Sequence, residues 1–485
     1  MRALRGVWLA SGAYAVVYFV LGIDRYVTYH SGSDLGLFTQ CIATVFHGFH
    51  DTPEGGSHFT VHFSPILYLC APLLLVTHSP LALVAIQAVA GALAAPALFL
   101  IARKRLPDGP AFAVAGVAFL YPPLAGVTFT DFHENGFATA ATLWLVWAFD
   151  ARRFATGAVF LVLALGIKED QAPILGFAAV AGLAYAVRRR DRGQAFFAIG
   201  SLAAAAATFV LFFGWVRPLA GAVEGWSPTH FYTWSRVVDP RGSAPWYSIG
   251  RPAYFAEALV PVAFAAVLSP AFVLALPGFA EVLGSHESIT YTMGTHYAAV
   301  WIPYVLFSFA LAVAGLYARS PRLGRGLVRA ALVLCVLVLA VASPTHWGHY
   351  LRARDAHDAV LDAALARLAP DLDVGTFDEA YAHLGFDPNA QLGLRRDPRF
   401  VLIDETLANS WFTVRYLPRL QHGLATGTYR RLWRDDGVSL LERIDGRGAA
   451  GAERVRDGRG SGAVGAVARA RRAFARGRGD QQERG

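Results

Sequence analysis

Residues 24–64 read DRYVTYHSGSDLGLFTQCIATVFHGFHDTPEGGSHFTVHFS. This polar stretch follows an apolar run at 7–23, and most of what comes after it, as far as residue 342, is apolar sequence broken by short polar turns. Leu35, Phe38, Ile42 and Val45 recur at helical spacing behind Asp34, so a short amphipathic helix is expected inside the loop. Five of the fifteen histidines lie here: His30, His47, His50, His58 and His62. Any chemistry the chain performs is expected where this loop meets a membrane surface.

Composition supports that setting. Of 485 residues, 55% are hydrophobic, and several apolar runs approach the roughly 20 residues that cross a bilayer. The sequence therefore predicts an α-helical polytopic membrane protein. Apolar runs fall at 7–23, 81–102, 111–127, 137–149, 154–167, 172–187, 195–215, 258–268, 271–283, 298–317 and 327–342, about eleven spans, with a kink or a broken pair at Ser269-Pro270. The first run reads as a retained span, since no small-residue cleavage site follows it. Residues 64–78, apolar but short and bounded by prolines, read as a helix lying in the interface.

Cationic side chains orient the chain. Arg103, Lys104 and Arg105 form one cluster, Arg152 and Arg153 a second, Arg188, Arg189, Arg190 and Arg192 a third, and Arg319, Arg322, Arg325 and Arg329 a fourth. An even number of expected spans separates successive clusters, so all four fall on the cytoplasmic side with the N-terminus. The 24–64 loop then lies outside. So do Asp131 to Asn135, Lys168-Glu169-Asp170, the segment 215–254 with Trp215, Trp226, Trp234 and Trp246, and the 284–296 loop. Tryptophan favours the membrane interface, and stacking on a sugar or prenyl chain is the functional alternative.

Residues 343–445 have the mixed composition of a small α/β domain, expected outside the membrane. It includes a buried strand at 399–403, a helix at 407–420 and two strands turning at Asp435-Asp436-Gly437. Residues 446–485 hold ten arginines against four acidic residues and few large apolar ones, and are expected to be disordered. That tail carries most of the net charge of +8, so the remainder is near neutral and no nucleic-acid surface is expected. Cys41, Cys70 and Cys335 are scattered, with no disulfide or zinc spacing.

Polar groups that survive in so apolar a chain are the candidate site. Asp34 is a candidate general base, or an N-cap of the helix behind it. Lys168 is one of only two lysines. It is a candidate for neutralising a phosphate, with Glu169 and Asp170 beside it, or one end of an internal ion pair in a connecting turn. Asp131, His133 and Glu134 are candidates for binding sugar hydroxyls or, with Asp34, a divalent cation (Mg or Mn), or form a solvated turn. His62 and His296 are further candidate substrate contacts. His286, Glu287 and Tyr297 flank the loop that would close over the site.

The ordered motifs SGSDLGLFTQ, SHFTVHFSPILYLCAPLLL, FTDFHENGFA, LGIKEDQAPIL and LPGFAEVLGS…HYAAVWIPY resemble the membrane family known as domain of unknown function 2079, over about residues 5–342. The layout is also similar to GT-C-type glycosyltransferases. That resemblance implies an acidic residue in the long first outer loop, here Asp34, interfacial helices after it, and a soluble outer C-terminal domain. It implies transfer of a sugar from a polyprenyl-phosphate donor to a glycan, lipid or protein acceptor. Asp34 would act on the acceptor and Lys168 on the donor phosphate. Unlike the better-known branches, this loop has no adjacent acidic pair. A lipid-linked substrate transporter or flippase, and a membrane sensor or scaffold, are the alternatives. The broken helices near Pro270 favour a transporter, whereas the gathering of polar residues at one face favours the enzyme.

Overall fold

The structure is a computed structural model that describes residues 2–221 and 249–444. The expected tail, and Trp226, Trp234 and Trp246, lie outside the described residues. Six described helices are long and apolar enough to cross a membrane: Arg2–Val27 (α1), Leu81–Arg103, Gln171–Arg188, Arg192–Ala220, Ile302–Arg319 and Pro321–Val341. Asp108–Leu120 and Pro122–Phe129 make a seventh if counted as one span, bent by 48°. The bend falls where Pro122 lacks the N–H that would continue the ladder. In α1 one face, with Val7, Tyr14 and Tyr18, is buried, while Leu9, Val16, Val17 and Val20 are exposed. A helix apolar on both faces suits a hydrocarbon surround.

Six or seven of the eleven expected spans meet this length among the described residues. Phe154–Leu165 and Pro270–Gly284 are apolar but shorter, and the run at 137–149 becomes the 13-residue helix Ala138–Asp150. The run at 258–268 ends in two short 3-10 turns, Val260–Val262 and Ala265–Leu268, joined through Ala263 and Phe264 at φ 51° and 53°. Pro261 removes a backbone donor there. Val262, Ala265 and Ala266 are buried, and irregular backbone at membrane depth is tolerated where protein covers it. Pro65–Leu69 and Ala71–Thr77 replace the expected interfacial helix. They leave Tyr68, Leu69, Leu73 and Val76 exposed, as an interfacial position requires.

Within the first loop, Ser33–Ala43 (α2) buries Leu35, Phe38 and Ile42. A two-stranded hairpin follows, His50–Asp51 (β1) against Gly56–Ser57 (β2). The C-terminal domain is a five-stranded sheet: Val374–Thr376 (β3), Gln391–Leu392 (β4), Phe400–Asp404 (β5), Tyr429–Asp435 (β6) and Val438–Arg443 (β7). Its order is β4-β3-β5-β7-β6, parallel over the first three strands and antiparallel over the last three. β5 is buried along its whole length, as its unbroken apolar run predicts. The β6–β7 turn runs through Asp436 and Gly437 at φ 36° and 78°, the positive-φ pair that a tight hairpin favours.

This domain sits directly on α2. Gln40, almost wholly buried, bridges the two. Its amide donates to the carbonyls of Asp387 and Ala390 at 2.7 and 3.2 Å. Its carbonyl accepts from Tyr381 Oη at 2.8 Å and from the Thr52 N–H at 2.7 Å. Gly36 faces the backbone of Tyr381 so closely that a Cβ would lie 2.7 Å from its carbonyl oxygen. A Gly36→Val protein should therefore lose this docking, at a cost of about 1–3 kcal/mol or more. Limited proteolysis of the C-terminal domain and the melting temperature report the loss, while Gly12→Val, with nothing within 4 Å, should behave as wild type.

Candidate functional site

The polar ends of several helices meet beneath the C-terminal domain. The chain enters this region from the end of α1, where Arg25 is buried. Its guanidinium donates to the carbonyls of His30 (2.8 Å) and Phe129 (2.9 Å) and to Asp131 Oδ2 (3.1 Å), and lies over the Tyr350 ring. Asp131 Oδ2 also accepts the Gly32 N–H at 2.8 Å. A Cβ at Gly32 would sit 2.9 Å from that oxygen, so the turn before α2 needs glycine. Asp131 is thus committed to holding the start of α2. Burial pushes its carboxyl up from the ordinary value, and Arg25 and the Gly32 N–H draw it back down.

Asp34 follows in the first turn of α2. Gly32, not Asp34, stands at the N-cap, and no side chain caps this helix. The Asp34 carboxylate has no hydrogen bond among the described residues, and His296 Nδ1 lies 3.9 Å from it. The side chain is 42% exposed. Burial, then the charges of Asp131 and Asp378, push its carboxyl up to about 7, against the pull of Arg25 and Lys168.

His296 stacks on His133, with ring centroids 3.4 Å apart and planes 11° from parallel. Burial pushes both imidazoles well below their usual value, and two stacked rings cannot both carry charge. His133 Nδ1 lies 3.0 Å from Glu134 Oε2 and accepts the Asn135 N–H. Glu134 is completely buried, and burial pushes its carboxyl up to about 7. Neither of its oxygens, nor His296 Nε2, finds a hydrogen-bond partner among the described residues.

Lys168 is buried and has no ion pair within 4 Å among the described residues. Burial disfavours its charge, but the carboxylates of Asp170, Glu134 and Glu169 outweigh that and keep the ammonium protonated. Glu169 is turned away from it: one oxygen lies 2.9 Å from His62 Nδ1 and the other accepts the Phe63 N–H at 2.9 Å. Burial opposes its charge, but His62, Lys168 and that N–H hold Glu169 down at about 2. His62, partly buried beside Lys168, is depressed to about 4 by burial and by the charge of Lys168. Asp170 shares a hydrogen bond with Glu281, and burial pushes its carboxyl up to about 6.

The structure therefore gathers Asp34, His133, Glu134, Lys168, Asp170 and His296 around one site. Asp131, Glu169 and His62 are engaged in bonds that hold the surrounding loops. No three donors among Asp34, Asp131, His133 and Glu134 lie close enough together to form a ready cation site. Sequence reading did not single out Glu281, although it is the only charge in its apolar run, a signal that such a group has a partner or a task. Asp378 and Glu379, from the C-terminal domain, also act on this region electrostatically, and nothing in their local sequence marks that. A cavity of about 590 Å³ between the helices, lined by Leu145, Phe149, Tyr185, Tyr304 and Phe307, includes none of the polar residues gathered at this site.

Removing Asp131 should leave the buried Arg25 without its counter-charge. We expect Asp131→Ala to cost about 3 kcal/mol and Asp131→Asn less, read from thermal unfolding in detergent.

Three comparisons bear on this geometry. A family model described as "Predicted membrane protein (DUF2079)" matches residues 25–358. No curated protein matches the sequence. Solved structures of ArnT share the fold. ArnT from Cupriavidus metallidurans bound to undecaprenyl phosphate aligns with a TM-score of 0.58 at 12% identity, covering 93% of this chain and 99% of that one. Its apo form aligns with the same score and identity, over 94% and 99%. The oligosaccharyltransferase AglB from Archaeoglobus fulgidus, in complex with an inhibitory peptide and a dolichol-phosphate, aligns at 0.43 and 14% identity, over 91% and 75%.

Proposed function

We propose, from the premise that this chain belongs to the DUF2079 family of predicted membrane proteins, that it is an integral membrane glycosyltransferase. It would take a sugar from a polyprenyl-phosphate donor and pass it to a hydroxyl acceptor on the extracytoplasmic side. The fold shared with ArnT, whose structure is described with undecaprenyl phosphate, supports the donor class. The observation that carries the reading is a pair of opposite charges at one site, Asp34 and the buried Lys168, each without a hydrogen-bonding partner among the described residues. Leaving two such groups unpaired is costly unless a ligand completes them.

In this mechanism the acceptor oxygen attacks the anomeric carbon while Asp34 takes its proton. The bond from that carbon to the phosphate oxygen breaks, and the electron pair leaves with the polyprenyl phosphate. Lys168 offsets the charge that develops on the departing phosphate. A base whose proton leaves near pH 7 suits this work at neutral pH. His133, His296 and Glu134 offer hydrogen-bonding groups for sugar hydroxyls. Asp131 and Glu169 act as positioning residues through α2 and residues 62–63. A divalent ion is not assigned a step.

Sugar transfer by purified protein in lipid, with a panel of radiolabelled polyprenyl-phosphate sugars, tests this reading. Asp34→Asn and Lys168→Ala should each lower kcat by about 10²–10⁴ while the protein remains folded. Undiminished transfer by both variants, or donor movement across the bilayer without transfer, would sink it. For wild type, Asp34 must be ionised to accept a proton, so kcat/KM should rise with pH and level off above about 7. Asp34→Asn should abolish that rise.

A further inference from the structure

A second cluster, where α2 meets the β1–β2 hairpin, has no part in the mechanism above. Cys41, near the end of α2, and Asp51 and His58, from either side of the β1–β2 turn, are all buried. One donor atom from each lies within 4.8 Å of the other two, and among the described residues no other group of three does so. Sequence spacing concealed this, since ten residues separate Cys41 from Asp51 and the hairpin brings them together.

The donors are also prepared in their chemistry. His58 Nδ1 lies 2.8 Å from Glu54 Oε2. A ring that gives its Nδ1 proton to a carboxylate presents the lone pair of Nε2, the arrangement that orients histidine toward a metal. Nε2 has only Ser64 Oγ nearby, at 3.4 Å. Asp51 Oδ1 accepts the Glu54 N–H at 2.7 Å, whereas Asp51 Oδ2 is buried with no hydrogen-bond partner among the described residues, in a residue 5% exposed. Cys41 Sγ makes only a long contact to the Phe49 carbonyl, at 3.8 Å. Thus Sγ, Oδ2 and Nε2 are the donors not already satisfied by close protein hydrogen bonds.

We infer that Cys41, Asp51 and His58 form a zinc site that ties α2 to the β1–β2 hairpin. Thiolate, imidazole and carboxylate together suit Zn²⁺ rather than Mg²⁺ or Ca²⁺, which take oxygen ligands. Tetrahedral zinc needs its donors about 3.3–3.6 Å apart, so the group closes by about an ångström on binding, and water or Ser64 Oγ takes the fourth position. Binding releases the thiol proton to solvent. The ion is structural here: it lies on the side of α2 that faces the hairpin and fixes the helix that carries Asp34.

The test uses full-length protein with a histidine-free affinity tag, loaded with ZnSO₄ and then gel-filtered, with metal measured by mass spectrometry. Wild type should hold about one zinc per chain, and Cys41→Ser and Asp51→Asn should each lower zinc affinity by about 10–100-fold. His47→Ala, at an exposed position of the same loop, should leave it unchanged. Cobalt-loaded wild type should show visible d–d bands and a thiolate-to-cobalt charge-transfer band. That signature needs no variant and decides the matter if Cys41→Ser does not fold. Wild type with under about 0.1 zinc per chain, a cobalt spectrum without thiolate character, or zinc retained in full by both variants would overturn the inference. None of these readouts depends on sugar transfer, so they stand or fall apart from the proposed activity.

Discussion

A guanidinium at the end of the first long helix sets the geometry of everything at the polar end of this protein. Arg25 is the point where α1, the turn at Asp131 and the start of the first loop are tied together. Burying it is tolerable because each side of the fork finds an oxygen and one of those oxygens is charged. The same Asp131 oxygen then holds the Gly32 N–H, two residues before Asp34. The position of Asp34 is therefore inherited from an ion pair that does not include it, and the carboxylate makes no hydrogen bond among the described residues.

A different economy governs the rest of the site. Lys168, Glu169, Asp170 and Glu281 bring charge into a region where isolated ions are strongly disfavoured. The structure spreads the cost. Glu169 is stabilised by His62 and a backbone N–H. Asp170 and Glu281 hydrogen-bond to one another. Burial pushes the Glu134 carboxyl up to about 7. Lys168 and Asp34, like Glu134, make no hydrogen bond among the described residues. Electrostatic pre-organisation of this kind, paid in folding stability, is what favours charge separation in a reacting complex.

Much of this was legible in the sequence because charges stand out in an apolar chain. Asp34, Lys168 and the Asp131 to Glu134 turn interrupt runs that otherwise cross a bilayer, and the structure places them around one region. The membrane class followed from the same contrast, the sheet-containing C-terminal domain from the change of composition after residue 342, and the fold shared with ArnT from a resemblance of motifs and layout. Pairings over long separations were not legible. Nothing near Asp131 points to Arg25, and nothing near Glu169 points to His62. Composition also cannot separate a spanning helix from the short turns at 258–268, since both are equally apolar and differ in the backbone conformations around Pro261. The N-terminus of α2 was misplaced by about two residues for a related reason. Ser33 and Asp34 both favour a cap, whereas the backbone enters the helix through Gly32 because Asp131 pulls on its N–H.

The seating of the C-terminal domain on Gln40 and Gly36 has a consequence for how the protein is made. The partners of Gln40 at Tyr381, Asp387 and Ala390 lie more than 340 residues further along the chain. A ribosome delivering about 5–20 residues each second completes them many seconds after the loop has emerged. Throughout that interval α2 lacks its upper face, and a short helix is marginal without packing partners. The helix bearing Asp34 thus settles only once the far end of the chain has been translated and docked, so a truncated product would insert into the membrane with its most reactive loop still unformed.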